Sequence, residues 1–286
     1  MLSHESSEST FLNTGGIRES FEEEQSSIGE RLPLDLAQLP EFEGKTQIFR
    51  ELYGGGADIL LDLEGHVSRG EYRVILGDDA SGRIPTLFMA NAIKEIYSKR
   101  DHKAPAVRFV AGGDRYGDNS LAGKFNSYQK GRKLAAYFKK LEPLIQQTTH
   151  ERLLLVTEAI SRGRGIAPLV EGLNEVGIPF DIACFSTPED KKALEKKWGI
   201  HIAQGRGGAG VYSLTEWSGV TKNPNDLHTR PASLHEKTPS QRHASMKYAR
   251  VEAKLTAHQL ASWFLGSKDG RQDDNQSNTI EERLAA

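Results

Sequence analysis

Residues 153–166 read LLLVTEAISRGRGI, and few local structures accommodate that order of residues. Leu153, Leu154, Leu155 and Val156 form a short continuous apolar run, the pattern of a strand buried on both faces. The polar pair Thr157-Glu158 ends it. Ser161, Arg162, Gly163, Arg164 and Gly165 then make a tight turn, and Ile166, Leu169, Val170, Leu173 and Val176 recur at helical spacing. Strand, acidic tip, Gly/Ser turn and helix start together make a holder for a sugar phosphate. Glycines let the backbone approach an anion, and a helix N-terminus adds unpaired N–H groups and a favourable dipole. Glu158 is then expected to face ribose hydroxyls or a bound Mg²⁺. The competing reading is an ordinary βα turn of another α/β fold, because such turns often contain glycine.

The surrounding chain repeats the strand–helix alternation. Apolar runs at Arg73–Gly77, Ala106–Ala111, Leu153–Val156, Phe180–Phe185 and Gly199–Ala203 read as strands. Helices are expected from Pro85 to about Tyr97, from about Asn126 to Ile145, after Ile166, over Lys191–Trp198 and over about Gln241–Phe264. Leu36, Leu39, Ile48, Leu52, Ile59, Leu60 and Leu63 suggest earlier helices broken by Gly54-Gly55-Gly56. This alternation predicts an α/β fold with a central parallel sheet covered by helices on both faces. Ligands of such sheets sit beyond the carboxyl ends of the strands. Asp78, Asp79, Gly112, Gly113, Thr157, Glu158 and Ser186 therefore fall on one functional edge.

Residues 1–30 carry seven Glu and one Arg with little apolar content, so an acidic tail through residue 34 is expected to be disordered. The polar residues 267–286 read the same way. One domain is expected over 35–266, with its core at about 45–205 and an irregular hood and C-terminal extension at about 206–266. The net charge of −2 gives no clear nucleic-acid surface and no general attraction to membranes. No apolar run is long enough to span a bilayer, and MLSHESSEST lacks a signal-peptide pattern, so a cytoplasmic protein is expected. The single cysteine, Cys184, excludes a disulfide framework.

The stretch from Val156 to Gly165 resembles, without a gap, the phosphoribosyl-diphosphate (PRPP) binding motif of type I phosphoribosyltransferases. Thr157 stands where that family usually has its first acidic residue, and Arg162 and Arg164 replace smaller loop residues. The resemblance implies a phosphoribosyltransferase-like fold and transfer of a 5-phosphoribosyl group from PRPP, with Mg²⁺, to a nitrogen-containing, nucleobase-like acceptor. It implies that Thr157, Ser161, Arg162, Gly163, Arg164 and Gly165 hold the 5′-phosphate and that Glu158 acts at the ribose. By position, the turn LGDDASGRIP after the first strand resembles the family's diphosphate loop. Asp78, Asp79, Ser81, Gly82 and Arg83 are its candidates, with Asp78 and Asp79 as Mg²⁺ ligands; the competing role is a helix cap at Asp79 or Ser81.

Residues 112–126 resemble the family's flexible catalytic loop, with Arg115, Lys124 and Arg108 as basic candidates, against an ordinary solvated loop. Either residues 204–230 or residues 35–70 are expected to form the acceptor-binding hood. The basic run Lys130, Arg132, Lys133, Lys139 and Lys140 reads as the wet face of a helix. Two other classes stay open. One is a non-enzymatic PRPP or nucleotide sensor, favoured by Thr157 and by the acidic 78–79 turn. The other is a sugar-phosphate isomerase-like domain. A homodimer is left open.

Overall fold

The computed structural model describes residues 45–112, 121–145, 148–160, 163, 165–186, 191–205, 220–222, 227–231 and 246–266. The expected tails, Gly113–Ser120, Ser161, Arg162, Arg164 and most of the expected hood lie outside the described residues.

Helix α1 (Lys45–Asp62) and the short α2 (Glu64–Ser68) lead into β1 (Tyr72–Asp78). There follow α3 (Arg83–Lys99), β2 (Ala106–Val110), α4 (Leu121–Lys139), α5 (Glu142–Ile145) and β3 (Arg152–Ala159). Next come α6 (Ala167–Val176), β4 (Phe180–Ser186), α7 (Lys191–Trp198) and β5 (Ile202–Gln204). Strands β6 (Val220–Lys222) and β7 (Thr229–Pro231) pair antiparallel, and α8 covers residues 246–266.

The five core strands form one sheet in the order β2-β1-β3-β4-β5, and every pairing in it is parallel. The chain leaves β1 towards β2 on one side and returns to β3 on the other. The topological switch point therefore lies between β1 and β3, where doubly wound sheets open a crevice at their carboxyl ends.

Side chains alternate across the pleat and build two cores. Ile75, Leu154, Val156, Ala183 and Phe185 pack with Leu52, Phe88, Ile93, Ala257 and Leu260 from α1, α3 and α8. Val74, Leu76, Leu153, Leu155, Ile182 and Cys184 pack with Leu134, Phe138, Leu169 and Leu173 from α4 and α6. Tyr72 falls in the first core with Ile75 because the β1–β3 register shifts between Tyr72 and Val74.

The glycine triplet does not break α1. A Cβ at Gly56 would lie 2.4 Å from the Phe88 ring and 3.0 Å from Leu260, and a Cβ at Gly205 would lie 2.6 Å from the Gly55 carbonyl oxygen. The glycines are a notch that seats α1 against α3, α8 and the end of β5. Tertiary contact outweighs their low helix propensity, about 1 kcal/mol each relative to Ala. The expected basic helix is also two helices, and it starts at Leu121, so residues 121–126 are helical rather than loop.

Candidate functional site at the carboxyl edge

The turn after β1 is built from its own backbone. The Gly82 N–H donates to the Asp78 carbonyl (2.9 Å), Arg83 N–H to Ala80 (3.2 Å) and Thr86 N–H to Gly82 (2.8 Å). The Asp79–Ala80 peptide is cis. A Cβ at Gly82 would stand 2.6 Å from the Asp78 carbonyl oxygen and 3.1 Å from that of Val156. These are backbone atoms that cannot swing away, so glycine is what lets this turn lie directly on β3.

Asp79 holds the turn together. Its N–H donates to the Val110 carbonyl (3.0 Å). Its carboxylate accepts from Arg83 Nε (2.9 Å) and a terminal Arg83 nitrogen (2.8 Å), a forked pair, and from Thr229 Oγ1 (2.9 Å). The Arg83 guanidinium also lies 4.8 Å from the centre of the Phe109 ring. Thr229 belongs to β7, and the Ala111 N–H donates to the Leu227 carbonyl (2.8 Å), so the β6–β7 hairpin docks on the ends of β1 and β2.

The turn after β3 is set by Gly163, whose φ of +71° favours glycine. A Cβ there would also meet Leu194 and Trp198 of α7 at 3.0 Å. Gly165 is exposed, and a Cβ on it meets nothing within 4 Å. The first turn of α6 is largely self-satisfied. Ala167 N–H donates to Gly163, Leu169 and Val170 donate to Ile166, and Pro168 has no N–H. The helix start therefore spends these N–H groups within the chain rather than on an anion.

A cleft of about 80 Å³ opens between the two turns, lined by Asp78, Thr157, Ala159, Ile160, Gly163, Gly165 and Ile166. Strand alternation decides which side chains reach it. Asp78 and Thr157 share the face of Leu76 and Leu155, whereas Glu158 follows Val156 on the opposite face. Glu158 is 3% exposed and does not line the cleft, so the carboxylate there is that of Asp78.

Mg²⁺ is a hard ion that usually takes one or two carboxylates and completes its shell with phosphate oxygens and water. Asp78 fits that role. Asp79 is committed to Arg83 and Thr229. Among the described residues no group of three or more His, Cys, Asp or Glu is arranged to hold a metal ion.

Arg115, Ser161, Arg162 and Arg164 lie outside the described residues, and Lys124 falls on the first turn of α4. Of the expected hood, Arg206, Tyr212, Trp217, Asn223 and Asn225 lie outside the described residues, while the 220–231 hairpin does reach the candidate turn. Thr229, Phe109, Leu194 and Trp198 were not among the expected site residues. Only Trp198 carried a signal, an aromatic on a short, otherwise highly charged helix.

A larger cleft, about 330 Å³, lies at the opposite edge of the sheet, lined by Arg69, Gly70, Glu71, Arg73, Thr148, His150 and Glu151. Its chemistry is structural. Arg69 Nε donates to Glu71 (2.5 Å) and Arg73 Nε to Glu151 (2.7 Å), and the His66 imidazole also bonds Glu71. Nearby, Arg152 and the Tyr72 hydroxyl donate to the buried Asp181 (2.9 and 2.7 Å). Burial first, then the Asp181 charge, pushes the Tyr72 phenol far above its ordinary range, so it stays a donor.

No protein-family model matches the chain, and no curated protein matches it.

Proposed function

We propose that the protein binds a 5-phosphorylated ribose, PRPP first among them, in the carboxyl-edge cleft, and transfers its phosphoribosyl group to a nitrogen of a nucleobase-like acceptor. The observation that carries this is the meeting of the two turns at the switch point. The 78–83 turn lies against β3, where a Cβ on Gly82 would stand 3.1 Å from the Val156 carbonyl oxygen, and Thr157, Gly163 and Gly165 line the cleft beside Asp78. The turn 161–165 would hold the 5′-phosphate, with Thr157 at its base. Asp78 stands where ribose hydroxyls or Mg²⁺ would lie. Mg²⁺, when bound, would neutralise diphosphate charge.

In the reaction, the bond from the ribose C1 to the diphosphate oxygen breaks as the acceptor nitrogen bonds C1. Diphosphate leaves with the electron pair, and the acceptor's N–H proton passes to solvent. Positive charge gathers on the ring, and a nearby carboxylate such as Asp78 stabilises it. Arg83 holds Asp79 through Nε and one terminal nitrogen, and the rest of its guanidinium fork is what could meet the diphosphate.

Thr157 in place of an acid, and the commitment of Asp79 to Arg83 and Thr229, favour a second reading, a sensor that binds PRPP or a nucleotide without turnover. Pyrophosphate release from PRPP with Mg²⁺ and nucleobases, measured beside a thermal-shift titration, separates the two. A ligand at one hundred times its Kd stabilises the fold by about 2.7 kcal/mol. Release establishes transfer, and stabilisation without release establishes sensing. Stabilisation by sugar phosphates but not PRPP assigns the cleft to the isomerase-like class, and no stabilisation by any of them refutes the site.

A further inference from the structure

Helix α4 carries five basic residues and no acidic one in a chain whose net charge is −2. Leu134 and Phe138 are buried on it, and a Cβ on Gly172 of α6 would meet them at 3.1 and 3.0 Å, so this face is the packed one. On the opposite face, Phe125, Tyr128, Arg132, Ala136 and Lys139 follow one another at spacings of three and four and are all exposed. Phe125 is 61% and Tyr128 62% exposed, the largest values among the exposed large hydrophobic side chains of the described residues. No ion pair among the described residues engages Arg132 or Lys139.

We infer that this stripe is a binding surface for single-stranded nucleic acid, with Phe125 and Tyr128 as stacking platforms and Arg132 and Lys139 as phosphate contacts. Fourteen residues separate Phe125 from Lys139, about 21 Å along the helix. Two aromatic rings one turn apart, followed by cations one or two turns apart, match a strand that offers flat bases and a charged backbone. An acidic polypeptide would answer the cations and leave the rings without a role. A membrane-surface helix needs an apolar face along its length, and here the apolar part is two rings at one end. A duplex hides the faces of its bases, so the exposed rings select unpaired ones. Net charge concealed this surface from the sequence argument, because the acids of the chain lie elsewhere. The inference does not depend on the phosphoribosyl reading. The rings occupy the first two turns of α4, which starts at the carboxyl edge of the sheet, so a bound strand would pass on the side of the cleft.

Fluorescence anisotropy of a labelled oligonucleotide of about 12 nucleotides, in about 50 mM salt, tests it on the full chain. Single-stranded oligo-dT or oligo-U should bind, and the matched duplex should bind at least about tenfold more weakly. The Phe125→Ala, Tyr128→Ala double variant should lose about tenfold or more in affinity. Arg132→Glu with Lys139→Glu should weaken binding and flatten the slope of log K against log salt by about 1.4, two phosphate contacts at about 0.7 each. The four side chains are exposed, so circular dichroism and melting temperature should not change. Absence of strand binding, wild-type affinity in both variants, or equal affinity for duplex overturns the inference. Variant-sensitive binding to phosphatidylserine vesicles without strand binding also overturns it and assigns the stripe to a membrane.

Discussion

Replacing Asp79 with alanine should destabilise the fold by about 3 kcal/mol, because it removes the carboxylate onto which the Arg83 guanidinium is forked. Asp79 is 2% exposed and receives two hydrogen bonds from Arg83 and one from Thr229. Removing one partner of a buried ion pair costs about 3–5 kcal/mol, since the other charge is left without compensation. The Arg83 side chain keeps 16% exposure and its contact with the Phe109 ring, so part of that is recovered and the value falls at the lower end. Asp79→Asn keeps an acceptor oxygen and should cost about half as much. For a domain of this size about 3 kcal/mol lowers the melting temperature by about 6–12 °C. Urea unfolding of wild type, Asp79→Ala, Arg83→Met and the double variant measures the coupling. The double variant should be more stable than Asp79→Ala alone, with an interaction energy above about 1 kcal/mol. A loss under about 0.5 kcal/mol in Asp79→Ala, or strict additivity, refutes the account of this turn.

Two glycines two residues apart should behave oppositely. Gly54 is exposed with nothing within 4 Å of an added Cβ, so Gly54→Ala should stabilise by about 0.5–1 kcal/mol in thermal unfolding. Gly56→Ala drives a methyl into the Phe88 ring and should destabilise by about 1–3 kcal/mol in the same assay. Burial raises the Glu71 carboxyl, but the hydrogen bonds and charges of Arg69 and His66 outweigh it and hold it below its ordinary value. A lowered folded-state pKa contributes stability above the unfolded value and loses it as pH falls through the folded one. Stability should therefore drop below about pH 4.3, and Glu71→Gln should flatten that dependence in urea titrations run from neutral to acid pH. Asp78→Asn should weaken Mg²⁺-dependent PRPP binding by about tenfold, 1.4 kcal/mol, in calorimetry. Glu158→Gln should act mainly on stability, by about 1–3 kcal/mol for a buried carboxylate, with ligand affinity kept.

The sheet was legible because its strands are continuous apolar runs. Leu153–Val156 and Phe180–Phe185 are buried on both faces, and such runs admit little else. The edge that carries the candidate site followed from parallel topology alone. The side chains on that edge did not follow, because strand alternation beyond the last core residue decides between neighbours. It turns Thr157, not Glu158, into the cleft. The glycine triplet misled for a different reason: a local propensity of about 1 kcal/mol per residue gave way to the close approach of Phe88 and Leu260, which no local pattern records. Thr229 lies 150 residues from Asp79, and nothing in either segment announces that bond.

The most direct test of the phosphoribosyl site is calorimetric titration of PRPP with Mg²⁺ into wild type and Gly165→Glu. Gly165 lines the cleft, is exposed and has open space around an added Cβ, so the substitution adds a negative charge at the cleft without a clash at the Cβ. Stability should stay within about 0.5 kcal/mol of wild type, as for surface changes generally. Wild type should bind PRPP, and Gly165→Glu should lose at least about tenfold in affinity, 1.4 kcal/mol. Equal affinity in the two proteins, or no heat of binding in wild type, would contradict the assignment of the carboxyl-edge cleft to a phosphorylated ribose.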